Sequence, residues 1–365
     1  MFHPTTWTRT ELERHSVDMR QFIDFRQSTL PNGMRIIEAY NGSGLSYTLL
    51  PDRGLDIWSA HYKGLPLTWI AQGAPYPPDF GQPWLRQFNG GLLVTCGLTH
   101  AGPPENDEKT GQFRDLHGLY SRLVASHVGV EVEGWSDDST YAIELRGIVS
   151  EAILFGEQLR LERVYRLTLG QPVIHITDVV TNVGDTPAPL MVLYHFNLGY
   201  PLVSHGVRLH TASAHVYSRN ERAQAGYARW PEYEAAVPGY EEQVYFHHVA
   251  ETGHGESEAA LLHSDFGMSF VWSSRSLPYL TQWKNVRQGI YVSGVEPGNC
   301  IPEGQNAARR SGRLDLLPPG ETRTFHCRLT VLEGAPAVQA CQERIRQLHQ
   351  TGTPVAGCKL DDYGR

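Results

Sequence analysis

Two side chains in this sequence are suited to moving protons. His195 lies at the end of an apolar run, Leu190 to Phe196, that reads as a strand because Leu, Val, Tyr and Phe dominate it. The turn before it, Asn182-Val183-Gly184-Asp185, uses residues that accept left-handed backbone angles, and Pro187 and Pro189 keep a helix from following. An imidazole is thus held on a mostly buried strand where it can still face a cleft. Glu296 ends a second apolar run, Gly289 to Asn299 (GIYVSGVEPGN). An unpaired carboxylate there is costly to bury, so it either caps the turn at Pro297-Gly298 or has a chemical role. Carboxylate and imidazole are the side chains that most often serve as base and acid. His117 is next, since Gly118 beside it has no side chain to block a ligand. The plainer reading of His117 is a turn histidine bonded to backbone. Arg53, in the PDRGLDI turn, either pairs locally with Asp52 or reaches into a site. His100 has only its place on the loop from Gly97 to Pro104, after a buried strand, to recommend it.

The elements that must position these groups are strands. Short apolar runs from Met34 to Ala60 are separated by Asn-Gly, Asp-Arg-Gly and Lys-Gly turns. Ala74 to Pro83 is too rich in proline for helix or central strand. Gly129 to Asp178 alternates apolar with charged residues, which predicts sheet with one wet face bearing the charges. Asn220 to Tyr240 reads as a polar insertion of open form. Thr10-x-x-Glu13 suggests a capped helical segment over 9–20. Val338, Cys341, Ile345 and Leu348 recur at helical spacing and predict a helix over 336–350, with a loose tail after Gly352.

The motif TNVGDTPAP followed by a strand ending YHFNLG resembles the aldose 1-epimerase (galactose mutarotase-like) family, of which the chain is identified as a divergent member. A Gly90-Gly91 strand, a loop and a His117-Gly118 segment followed by Arg122 come in the family's order, as do VEPGN and the closing LPPGE strand. The resemblance runs from about Met34 to Leu332. It implies a mainly β fold, a large antiparallel β-supersandwich with few short helices, in one domain over 1–365. It implies an isomerase that interconverts the α and β anomers of an aldose without metal or cofactor, with His195 as acid and Glu296 as base. Proximity of the carboxylate is expected to favour imidazolium, and partial burial to raise the glutamate toward neutrality. His117 and Arg122 would orient hydroxyls and Trp283 would stack on the ring, with Arg53, His100, His247 and Lys284 completing the sugar site. His247 and His248 stand where galactose-type members carry a hydroxyl-binding aspartate, which leaves the sugar open. One alternative is a sugar-sensing module. Another is an epimerase for a phosphorylated or acidic sugar, for which Arg53, Arg86 and Lys284 could serve the anion. A metal site from His100, His117 and His195 lacks the close H-x-H pairing such barrels show.

Composition narrows the partners. The formal charge of −8 and pI near 6.1 disfavour nucleic acid and anionic membranes, so a small sugar is the expected partner, with a homodimer left open. Neither a membrane-spanning run nor a leader peptide is visible, and a cytoplasmic protein is the default expectation. The five cysteines lack C-x-x-C spacing and read as small buried hydrophobes rather than a disulfide framework. Eight Trp and seventeen Tyr either fill a β core or offer rings for sugars to stack on.

Overall fold

A computed structural model describes residues 7–357 together with Leu360 and Tyr363. The alternating stretch forms half of an eight-stranded antiparallel sheet, ordered Arg208–Thr211, Glu256–Leu262, Phe266–Ser273, Thr322–Glu333, Val173–Asn182, Gln158–Thr168, Tyr141–Ala152 and Ser126–Trp135. Its wet face carries charges as expected: Arg146 lies beside Glu131 and Glu144, and Arg166 beside Glu133. Three charges depart from the expectation, one of them Glu151, buried on the row of Leu145 and Val149 and accepting from Leu98 N and the Thr99 hydroxyl. Arg163 shares the inward row of its strand with Leu161 and Tyr165, and Asp178 shares its row with Ile176 and Val180, so period two turns both into the core.

The second large sheet runs Ser213–Ser218, Gln243–Glu251, Tyr279–Arg287, Ile290–Gly298, Leu193–Leu198 and Val94–Cys96, with Thr353–Pro354 added to Gln243–Glu251. It packs face to face with the first: Tyr194 and Phe196 meet Phe325 and Phe270 of the eight-stranded sheet at 6.4 and 5.6 Å between ring centroids. Strands such as Leu193–Leu198 are buried on both faces, because loops and the chain's end cover the side turned away from the core. A five-stranded meander, Asp24–Thr29 through Leu65–Pro66, adds Tyr47, Leu49 and Ile57 to the same core.

The helices are few. The terminal helix is Ala335–Thr351, and it buries Val338, Cys341, Ile345 and Leu348 against Ala212, Ala260 and Leu332. The N-terminal segment is shorter than expected: helix Arg9–His15, then a single turn at Met19–Gln21. Its cap is Thr8, whose hydroxyl accepts from Glu11 N at 3.1 Å, so the helix is capped two residues before Thr10. The tail is not loose where it is described. After pairing with Ala250 and Glu251 it buries Val355 and Leu360 in the main core. Cys96, Cys300, Cys327 and Cys341 are buried free thiols, and Cys358 lies outside the described residues. Among the described residues, no helix is long and apolar enough to cross a membrane.

Candidate active site

The outward face of the second sheet holds one cross-strand row. Leu193 pairs with Gly298 and Phe196 with Val295, and counting back one residue from Phe196 sets His195 opposite Glu296. Thr281 pairs with Glu296 from the other side, Phe246 with Thr281, and Val94 with His195. Residues opposed in this way have Cβ atoms about 5 Å apart, so register alone brings the imidazole to the carboxyl. His195 Nε2 lies 3.3 Å from Glu296 Oε1. Gly294 makes room for the carboxyl: a Cβ there would collide with Glu296 Oε1 and lie 2.9 Å from the Trp283 Cβ. The row floors a cleft of about 570 Å³, with His117, Arg219, Glu242 and Trp283 on its walls and aromatic rings from Trp84 and Phe88. That volume falls in the usual range for a small-molecule site.

His117 enters by backbone strain. Its φ is +55° and that of Gly118 is +77°. Gly118 sits so close to Gly97 O and His100 O that a Cβ would lie 2.5 Å from each. The turn therefore needs glycine at 118 and throws the His117 ring to 5.0 Å from Trp84 and 6.1 Å, edge-on, from His195.

Burial dominates the electrostatics. It pushes His195 down to about 4 and His117 down to about 3, with the neighbouring His195 and His100 adding to the latter. It pushes Glu296 well above the usual carboxyl range, reinforced by the Glu242 carboxylate and opposed by Arg219. These directions describe a neutral imidazole facing a protonated carboxyl, not the expected imidazolium, because desolvation of each group outweighs their attraction. Nδ1 of His117, Oε1 of Glu296 and Oγ1 of Thr281 have no hydrogen-bond partner among the described residues, and Nδ1 of His195 has none of good geometry, though the Asn197 side chain beside the ring opposes its depression. Four unsatisfied polar atoms on residues that line one cleft are a mark of a site built for a polar ligand.

A family model described as "Domain of unknown function (DUF4432)" matches residues 31–331. The chain belongs to the DUF4432 family. The solved structures similar to this DUF4432 chain include a candidate aldose 1-epimerase from Klebsiella pneumoniae, 26% identical, with a TM-score of 0.85 over 95% of this chain and 96% of that one. A galactose mutarotase-like protein from Clostridium acetobutylicum superposes at 0.63 with 15% identity, covering 86% of this chain and 99% of that one. Galactose 1-epimerase from Lactobacillus acidophilus superposes at 0.54 with 13% identity over the same shares. No curated protein matches the sequence. The fold is the galactose mutarotase-like one, and the DUF4432 chain is a divergent member of that group.

Of the residues singled out from sequence, the DUF4432 cleft gathers His195, Glu296, His117 and Trp283. The others go elsewhere. Arg53 is buried and donates to the carbonyls of Ser121, Tyr76 and Gln87, so it braces three loops and neither reaches the cleft nor pairs with Asp52, which binds Arg35. Arg122 is likewise spent on Asp115 Oδ2 at 2.9 Å and Gln82 O at 3.0 Å, behind the wall that carries His117. The His100 ring turns to Pro103 O. His247 and Lys284 fall on the core-side face of their strands: His247 contacts Ser213 Oγ at 2.9 Å, and Lys284 binds Glu234 at 2.7 Å. Arg86 is exposed beside the cleft-lining Leu85.

Thr281, Glu303, Glu242 and Arg219 line the cleft and were missed, the last two as an ion pair. Glu242 is the acid on the row of Val244 and Phe246, two residues before the first apolar position of its strand, and Arg219 lies across from it. They close the two ends of the Asn220 to Tyr240 insertion, where Arg219 N donates to Val244 O. Counting by twos back from Phe246 reaches Glu242 once the fold shows that Phe246 faces the cleft.

Proposed function

We propose that the chain is an aldose 1-epimerase acting on a neutral sugar. The observation that carries this reading is the His195–Glu296 contact at 3.3 Å on the floor of an open cleft, both groups buried and neither hydrogen-bonded to the other. Between them they hold one proton, which is what anomer exchange needs: one group takes the C1 hydroxyl proton while the other gives a proton to the ring oxygen. The C1–O bond of the ring then breaks, C1 becomes a carbonyl carbon and turns, and closure on its other face reverses both transfers.

With the cleft empty, the proton sits on Glu296. Sugar hydroxyls entering the cleft supply the hydrogen bonds that desolvation removed, so the proton passes to His195 and leaves a carboxylate base facing an imidazolium acid. Each role is worth about 10²–10⁴-fold in rate when correctly aimed. His117 and Thr281 line the cleft and would take up hydroxyls, and Trp283, 5.4 Å from His195 between ring centroids, offers a face for the sugar.

Neutrality of the substrate rests on where the cations are. Arg219 is matched by Glu242 at 2.8 Å, and Arg53, Arg122 and Lys284 bind protein groups away from the cleft. Among the described residues, Arg219 is the one cation lining the cleft, and it is matched by Glu242. The test is NMR exchange spectroscopy on a panel of neutral, deoxy, uronic and phosphorylated aldoses. Faster α-to-β exchange for a neutral sugar is expected. Acceleration only for acidic sugars would overturn the substrate class, and binding without acceleration would make this a sensing module.

A further inference from the structure

The mechanism above leaves Glu242 and Arg219 without a task, yet both line the cleft. Glu242 uses its two carboxylate oxygens for two different partners: Oε1 accepts from Arg219 Nη2 at 2.8 Å and Oε2 from the Trp283 indole Nε1 at 2.7 Å. Trp283 is paired in register with Val244, so its ring stands over the same face as Glu296, and the indole bond fixes how it leans. We propose that Glu242 and Arg219 are a positioning pair, which holds the Trp283 ring against the sugar and sets the electrostatic field at Glu296 through two opposed charges. This deepens the epimerase reading and rests on it for the word sugar, though not for the field.

The location makes the pair a structural hinge pin as well. Residues 220–241 leave the sheet between Ser213–Ser218 and Gln243–Glu251, and the ion pair clasps the neck of that excursion. The excursion packs Trp230 on His247 and Tyr233 on Ser293, both on the core-side face. A segment committed to one face of the sheet thus anchors a charge pair on the other.

The groups facing Glu296 are known from each element around it. They are His195 on its paired strand, Cys96 beyond that, Thr281 and Trp283 on the other side, and Glu242 and Arg219 at the rim. His117 and Glu303 line the cleft from loops, the latter matched by Arg313 at 2.8 Å. Glu242 and Arg219 are the two formal charges whose removal should move the Glu296 proton in opposite directions.

The experiment is a carbon NMR titration of the glutamate carboxyls in the full chain, with the Glu296 signal assigned by its loss in Glu296→Gln. Glu242→Gln, which keeps an oxygen for the indole, is expected to lower the pH at which Glu296 ionises by about one unit, the lower end of what one nearby charge does. Arg219→Gln is expected to raise it by a similar amount, while Arg219→Lys keeps the wild-type value. Glu242→Ala should in addition displace the Trp283 indole N–H resonance, which Glu242→Gln leaves close to its place. Shifts of the same sign in Glu242→Gln and Arg219→Gln, no shift, or an Arg219→Lys shift as large as that of Arg219→Gln would overturn the inference. Since none of these signals needs turnover, failure of the wild type to exchange any sugar would count against the epimerase and leave the pair's role standing.

Discussion

Two buried polar clusters lie back to back on strand Leu193–Leu198, and they are built to opposite rules. On the core face, the Tyr194 hydroxyl donates to Asp178 Oδ2 at 2.6 Å, and Asp178 holds Arg163 through Nε at 2.9 Å and Nη2 at 2.7 Å. The guanidinium is completed by Asp56 at 2.7 Å and the Thr95 hydroxyl at 2.9 Å, with Asp56 also accepting from Thr95. One residue along, on the cleft face, His195 and Glu296 are as deeply buried but leave Nδ1 without a partner of good geometry and Oε1 without any among the described residues. A fully satisfied network fixes one arrangement of the sheets, whereas an unsatisfied pair carries a desolvation cost that a ligand can relieve. The same strand thus contributes stability with one face and reactivity with the other.

The comparison breaks most visibly if the cleft pair is removed without harm to the fold. His195→Ala and Glu296→Gln should each slow anomer exchange by about 10²–10⁴-fold. Neither should lower the melting temperature, and Glu296→Gln should raise it, since an amide in that place needs no proton to stay neutral. Exchange rates and thermal melts on the same preparations read both halves. A melting temperature that fell with activity would mean the pair is structural.

The core network should behave the other way. Arg163→Met removes one partner and strands two buried carboxylates, and breaking a buried pair in this manner costs about 3–5 kcal/mol. Urea unfolding measures the loss, and a change within about 0.5 kcal/mol would show that Asp56 and Asp178 find other partners or stay protonated at little cost. Residual soluble protein should keep its exchange rate per folded molecule, because Arg163 lies on the far face of the strand from the cleft.

How much of this was legible follows from burial. Strands with one wet face alternate, so the eight-stranded sheet could be read residue by residue. The same reading put Arg163 and Asp178 among solvated charges although both sit on the apolar row, an error of treating a strand's charges together instead of by parity. Strands buried on both faces show no alternation. For Gln243–Glu251 nothing in the run of Val, Tyr, Phe and His says which residues face the cleft, so the resemblance alone put His247 there, while Glu242, on the facing row, was passed over. His195 and Glu296 were visible because an ionisable group in an apolar strand is conspicuous by cost alone. Arg53 and Arg122 were not distinguishable from ligands, since an arginine that braces loops and one that binds a substrate use the same donors, and only the fold decides what lies within reach.

The smallest effect, and the sharpest on the electrostatics, is the pH dependence of stability. Burial lowers His195 from 6.5 to about 4, so between those values the unfolded chain binds more protons and stability rises with pH. Glu296 is shifted the other way: above 4.5 the unfolded chain has released a proton the folded one retains, so its contribution makes stability fall as pH rises toward the folded ionisation. In the window from about 4.5 to 6.5 the two slopes, each at most about 1.4 kcal/mol per unit, oppose and largely cancel. Removing one uncovers the other. Stability of Glu296→Gln should climb with pH relative to the wild type across that window, and stability of His195→Ala should decline relative to it. Burial, the main cause of the His117 depression, is common to all three proteins, so its contribution largely drops out of the differences although His195→Ala removes the smaller share owed to His195. Chemical denaturation of the three at matched pH values gives the two difference slopes directly. A climb for Glu296→Gln together with a decline for His195→Ala identifies a neutral imidazole beside a protonated carboxyl, whereas an ion pair in the empty cleft, with His195 raised and Glu296 lowered, would act outside this window, leave both differences nearly flat within it, and overturn the claim that the cleft face of this strand is the one left unsatisfied.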